Sequence, residues 1–189
     1  MEEKTSKDSL NSLENIKTGK KTRAAPSGVL EELLFLIFKI AALAAAFLLA
    51  FTLVFGVFRY DDDSMKPAVK GGDLVLFYRL DKRYVKSDTL VLEYQGKKQV
   101  RRIVAVAGDE VDITDEGLMV NGSLQEEPDI YETTKRFDTG VNFPLTVGQG
   151  QVFVLGDARE ASSDSRVYGC VNVKDTMGKV MTIVRRRGI

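Results

Sequence analysis

Three short blocks carry the residue types that hydrolytic chemistry needs. The first is Asp63-Ser64-Met65-Lys66-Pro67, in which the Ser64 hydroxyl becomes a nucleophile once a base takes its proton. The second is Val100-Arg101-Arg102-Ile103, followed by Gly108-Asp109. On a strand the two arginines point to opposite faces, so one of them faces inward and needs a carboxylate partner. The third runs from Gly156 to Arg166, where Asp157 with Arg159 and Asp164 with Arg166 repeat an Asp-x-Arg spacing. Plainer readings exist for two of the blocks. Ser-x-x-Pro marks a turn, and paired charges hold a polar loop. The chain has 0 histidines and a single cysteine, Cys170. That removes Ser-His and Cys-His nucleophile pairs, His-based metal sites and any internal disulfide.

The elements that must position these blocks are an apolar helix and a set of short strands. Ile40 to Phe58 is uncharged and has no polar face. At ~1.5 Å per residue it is long enough to cross a ~30 Å hydrocarbon core, which makes it a membrane span. After Ser64 the pattern turns to strands: Asp73–Tyr78, Thr89–Tyr94, Gln99–Ala107, Glu110–Thr114, Gly117–Gly122, Gln151–Leu155 and Lys179–Val184. Gln95-Gly96-Lys97 reads as a hairpin signal, and Ser123 to Thr146 as a long irregular excursion. Short strands with Gly and Asp turns and no convincing soluble helix predict a mostly β domain, an all-β sandwich or partly open barrel. The apolar side chains of Met65 and of Leu74 to Phe77 are expected in its core.

The organisation that follows is a cytoplasmic tail at 1–32, a transmembrane anchor at 33–58 and an extracytoplasmic β domain at 59–189. The tail is rich in Lys, Ser, Glu and Asn, a disordered composition. Lys17, Lys20, Lys21 and Arg23 precede the span, while Asp61, Asp62 and Asp63 follow it. The basic side stays in the cytoplasm, so the domain is outside, at the cell membrane. Phe55-Gly56-Val57-Phe58-Arg59 is a poor cleavage site, so the apolar run is an anchor, not a removed signal. Basic residues number 27 and acidic residues 27, so no global field of the kind that nucleic-acid binders use is present, and nucleic acid is not an expected partner.

The order of the motifs is specific. A span is followed by Ser64-Met65-x-Pro67, then Gly72-Asp73-Leu74-Val75, then Arg102-Ile103-Val104 ahead of Gly108-Asp109, then Gly156-Asp157-x-Arg159-x-x-Ser162-x-Asp164-Ser165-Arg166. From about residue 35 onward the chain closely resembles the bacterial type I signal peptidases. The resemblance implies a membrane-anchored serine endopeptidase of mostly β, signal-peptidase-type fold. Such an enzyme removes signal peptides from exported preproteins at the outer face of the membrane, with a Ser nucleophile, a Lys general base, and no metal or cofactor. By position it makes Ser64 the nucleophile and Ser162 the residue that orients the Lys ammonium. Arg102 falls on the family's Arg, and Asp157, Arg159, Asp164 and Arg166 on the charges that hold the loop around the site.

Two positions depart from the pattern. The family's Lys is Arg101 here, and a guanidinium is not deprotonated in proteins, so it cannot accept the Ser64 proton. Lys98 lies on the opposite strand face, and four residues at ~3.3 Å put Lys97 about 13 Å away. Two residues before Ser64, where the family commonly has Ser or Gly, stands Asp62, a carboxylate near where the oxyanion forms. Asp62 and Arg101 are therefore expected to pair across the site, in contact within ~4 Å. Two functions follow. One is a signal peptidase of weak or no activity, because losing an essential base costs orders of magnitude in rate. The other is a non-catalytic relative that keeps the peptide groove and serves as chaperone or assembly factor for surface-protein precursors. Sortase-built pili are an example of such a system.

Overall fold

The computed structural model describes residues 27–185. The expected tail at 1–32 lies outside the described residues up to 26, and 27–32 are helical. Two compact units divide between Phe47 and Leu48.

Helix α1 spans Ser27–Val54, 28 residues. Its side chains are exposed on every side, and it is the one described helix long and apolar enough to cross a membrane. This helix does not share the bounds of the expected anchor, 33–58. The helix begins earlier and stops at Val54, because Phe55–Arg59 forms a strand, β1, paired antiparallel with β2, Leu74–Tyr78. Gly56 explains the change of structure. It passes directly over the Phe77 ring, where any Cβ would collide, so this stretch is built to pack on a sheet.

The other strands are β3 (Thr89–Tyr94), β4 (Lys97–Val106), β5 (Glu110–Thr114), β6 (Gly117–Val120), β7 (Ser123–Leu124), β8 (Leu145–Thr146), β9 (Gln151–Leu155), β10 (Val171–Asn172) and β11 (Thr176–Val184). They form a seven-stranded sheet, β1-β2-β11-β3-β4-β9-β10, and a four-stranded sheet, β7-β6-β5-β8, with every pairing antiparallel. The expected mostly β architecture is the observed one. Gln95 and Gly96 make the two-residue β3–β4 turn with φ of 52° and 75°, the twist-matched hairpin geometry. The stretch 123–146 is irregular apart from β7 and β8.

One apolar cluster decides where the site sits. Tyr60, Met65, Val69, Val75, Phe77, Val91 and Val100 pack together as buried core. Tyr60 and Met65 flank the Ser64 segment and are both 0% exposed, so the segment is pinned at both ends by burial. Val75 and Phe77 are core as expected, but Leu74 is exposed.

Candidate active site

Four segments converge on Ser64: the loop after β1, strand β4, the turn before it, and the loop from Gly156 to the single-turn helix α2 (Ser165–Tyr168). Packing sets the approach of that last loop. Ala158 N–H donates to the Ser64 carbonyl at 3.1 Å, and Asp157 N–H reaches Met65 Sδ at 3.4 Å. Position 156 admits only glycine, since a Cβ there would run into the Ser162 side chain and the Ser64 carbonyl.

The Ser64 hydroxyl is buried and fully engaged. It donates to Asp62 Oδ1 at 2.6 Å and accepts from Arg101 Nη1 at 2.7 Å, with the Tyr60 hydroxyl 2.8 Å away. Asp62 Oδ1 also takes the Ser64 backbone N–H at 2.7 Å and the Tyr60 hydroxyl at 2.6 Å. Burial pushes the Asp62 carboxyl up, but the donors from Ser64 and Tyr60, helped by the Arg101 charge, outweigh it and hold the group below the usual carboxylate range. Burial, reinforced by Asp62, pushes the Tyr60 phenol above its ordinary value.

Arg101 is 1% exposed, so it is the inward arginine of the pair. Backbone carbonyls hold it: Ser163 O takes Nε at 3.1 Å and Nη2 at 2.8 Å, and Val100 O takes Nη1 at 2.6 Å. The expected direct pair with Asp62 does not form. The Ser64 hydroxyl sits between the two charges and bonds to both, so they meet through it. The carboxylate expected beside the inward arginine stands instead beside its neighbour. Arg102 makes a two-pronged pair with Asp157, at 2.8 and 2.7 Å.

The Gly156–Arg166 loop differs from expectation in two further contacts. Asp157 and Arg159 do not pair. Arg159, 0% exposed, reaches Glu127 through two bonds of 2.7 and 2.6 Å, and also contacts Thr134. Asp164 and Arg166 do pair, at 2.9 Å. Ser162 does not orient the residue at 101. Its hydroxyl donates to Asp164 at 2.5 Å and accepts from Arg166 at 3.1 Å, while the neighbouring Ser163 carbonyl holds Arg101. Glu127, Thr134 and Tyr60 escaped the sequence reading. The first two lie in the stretch without periodicity, and Tyr60 stands in the short polar stretch after the apolar run, where no pattern singles it out.

A groove of about 450 Å³ opens beside Ser64. Lys97, Lys98, Gln99 and Arg101 of β4 line it, together with Asp61 to Asp63 and the Tyr94-Gln95 turn. Lys97 to Arg101 pair with β3 on one edge only, because β9 first meets β4 at Arg102. The other edge has no strand partner among the described residues. An extended peptide can bond to such an edge.

In chemical terms, Ser64 faces a cation that only donates and an anion held at low basicity. Its own backbone N–H, the nearest donor for an oxyanion, is taken by Asp62. The described residues hold no cluster of three or more His, Cys, Asp or Glu able to bind a metal.

Comparison with known proteins agrees with the motifs. The family described as "Signal peptidase, peptidase S26" matches residues 30–185. Signal peptidase I of Bacillus licheniformis is 31% identical over 139 residues, 67% of this chain and 73% of that protein. Signal peptidase IB of Staphylococcus aureus (strain Mu50) is 28% identical over 162 residues, 75% of this chain and 85% of that one. A crystal structure of a signal peptidase I from Enterococcus faecalis V583 aligns at a TM-score of 0.44 with 27% identity, covering 53% of this chain and 97% of that one. The chain belongs to the signal peptidase family. An apolar N-terminal helix in such a chain fits a membrane-anchored protein.

Proposed function

We propose that this protein binds exported preproteins in the groove beside Ser64, at the outer face of the cell membrane, and hydrolyses them weakly or not at all. The observation that carries the reading is the bond from Arg101 Nη1 to Ser64 Oγ at 2.7 Å. The position that would have to accept the serine proton donates one instead, and a guanidinium cannot reverse that role. The groove and the unpaired edge of β4 remain, so peptide capture survives the loss of the base. The orientation follows from the basic residues before α1, with 59–189 outside. Capture without cleavage suits a chaperone or assembly factor, with surface-protein precursors, including those built into pili by sortases, as clients.

Photo-crosslinking tests it. A preprotein carrying a photoreactive residue at its signal-peptide junction is mixed with the full chain in detergent. The expected crosslinks fall within 61–64 or 97–101 and the preprotein stays intact. Crosslinks confined to other segments, or their absence, would overturn the binding role.

A further inference from the structure

The groove beside Ser64 is unusually polar for a site that receives small apolar side chains. Apart from the Tyr94 ring and Ala161, its lining is charged or amide- and hydroxyl-bearing. The charges are segregated by element: Lys97, Lys98 and Arg101 come from β4, and Asp61 to Asp63 from the loop after β1. Several are already occupied within the protein. Asp63 bonds Lys66 at 2.7 Å, and Asp62 and Arg101 are engaged with Ser64. Asp61 and Lys97, by contrast, have no ion pair among the described residues, and the Lys98 ammonium lies only over the Phe58 ring, at 5.7 Å.

Gln99 adds an independent observation. It lies between the lysines and Arg101 on β4, is 9% exposed, lines the same groove, and its Oε1 is buried without a hydrogen-bond partner. Buried acceptors are rarely left unpaired, because burial strips away their water and puts nothing in its place. A donor from a molecule in the groove would satisfy it.

Resting on the peptide-binding reading above, we infer that the bound segment is a polar peptide carrying both signs of charge. An acidic residue meets Lys97 and Lys98, a basic residue meets Asp61, and a backbone or side-chain N–H donates to Gln99 Oε1. A neutral Ala-x-Ala junction could satisfy Gln99 through its backbone but would leave the two lysines and Asp61 unmatched.

Fluorescence anisotropy with dye-labelled peptides on the full chain in detergent tests this. One peptide is neutral with an Ala-x-Ala junction, and a second of equal length carries Glu and Lys. The charged peptide is expected to bind at least about 10-fold tighter at low salt, and salt should erode that advantage because exposed charges are screened beyond ~10 Å at 0.1 M. Lys97→Glu/Lys98→Glu should lose the preference, and a peptide with its Glu changed to Lys should recover it. Gln99→Leu should weaken the charged peptide several-fold. Equal or tighter binding of the neutral peptide at every salt concentration would overturn the charge assignment and leave peptide binding standing. Binding of neither peptide would overturn both.

Discussion

The coupling between Asp62 and position 101 can be measured by placing a lysine at 101 with and without the carboxylate, as Arg101→Lys and Asp62→Ser/Arg101→Lys. The two charges now meet through one hydroxyl, with bonds of 2.7 and 2.6 Å on its two sides. At a separation of roughly 5 Å and an effective dielectric of ~20, two unit charges interact by about 3 kcal/mol. That is about two pKa units on the amine, in the direction that keeps it charged. Burial alone would lower a lysine at 101, so Asp62 opposes the shift that a general base needs. The double variant should therefore hold up to ~100-fold more free amine than the single one at neutral pH, and cleave correspondingly faster. The assay is the initial rate of preprotein cleavage against pH. Arg101→Lys should rise steadily toward high pH, whereas the double variant should level off about two units lower. Identical profiles for the two would refute the idea that Asp62 controls this position.

Other outcomes follow from the same contacts. Glu127→Ala leaves Arg159, 0% exposed, without its carboxylate and should cost about 3 kcal/mol in urea unfolding. Gly156→Ala forces a methyl group against Ser162 and the Ser64 carbonyl, and should destabilise by about 1–3 kcal/mol and weaken peptide capture with it. The raised Tyr60 phenol contributes stability that is fully present below about pH 10 and lost as pH rises through the higher folded value. The phenolate absorbance of Tyr60→Phe, subtracted from the parent, should show Tyr60 ionising well above the ordinary phenol value. The depressed Asp62 has the opposite sign. Its contribution is present above about pH 4 and is lost as pH falls through its lower folded value, so acid should cost the parent more thermal stability than it costs Asp62→Asn.

The mostly β fold was legible because short apolar or alternating runs bounded by turn residues mark β3, β5 and β9 to the residue. β1 was not, since Phe55 to Phe58 is as apolar as the helix before it, and only its pairing with β2, with Gly56 over Phe77, sets it apart. At the site, motif order located Ser64, Arg101 and Asp62 but could not show that the hydroxyl lies between the charges. That depends on the turn pinned by Tyr60 and Met65. Partners also went unread wherever they are backbone atoms, as with Ser163 O, or lie in stretches without period, as with Glu127. The spacing of Asp157 and Arg159 suggested a local pair, yet each side chain leaves the loop for a partner on another segment.

The most direct test of a disarmed Ser64 is cleavage of an Ala-x-Ala preprotein by the unaltered chain in detergent, with Ser64→Ala beside it. No cleavage above the Ser64→Ala background, with the preprotein still bound, is the expected result. Efficient cleavage, far above a slow residual rate, that vanishes in Ser64→Ala would contradict the account and make Asp62, 2.6 Å from the hydroxyl, the acceptor of its proton.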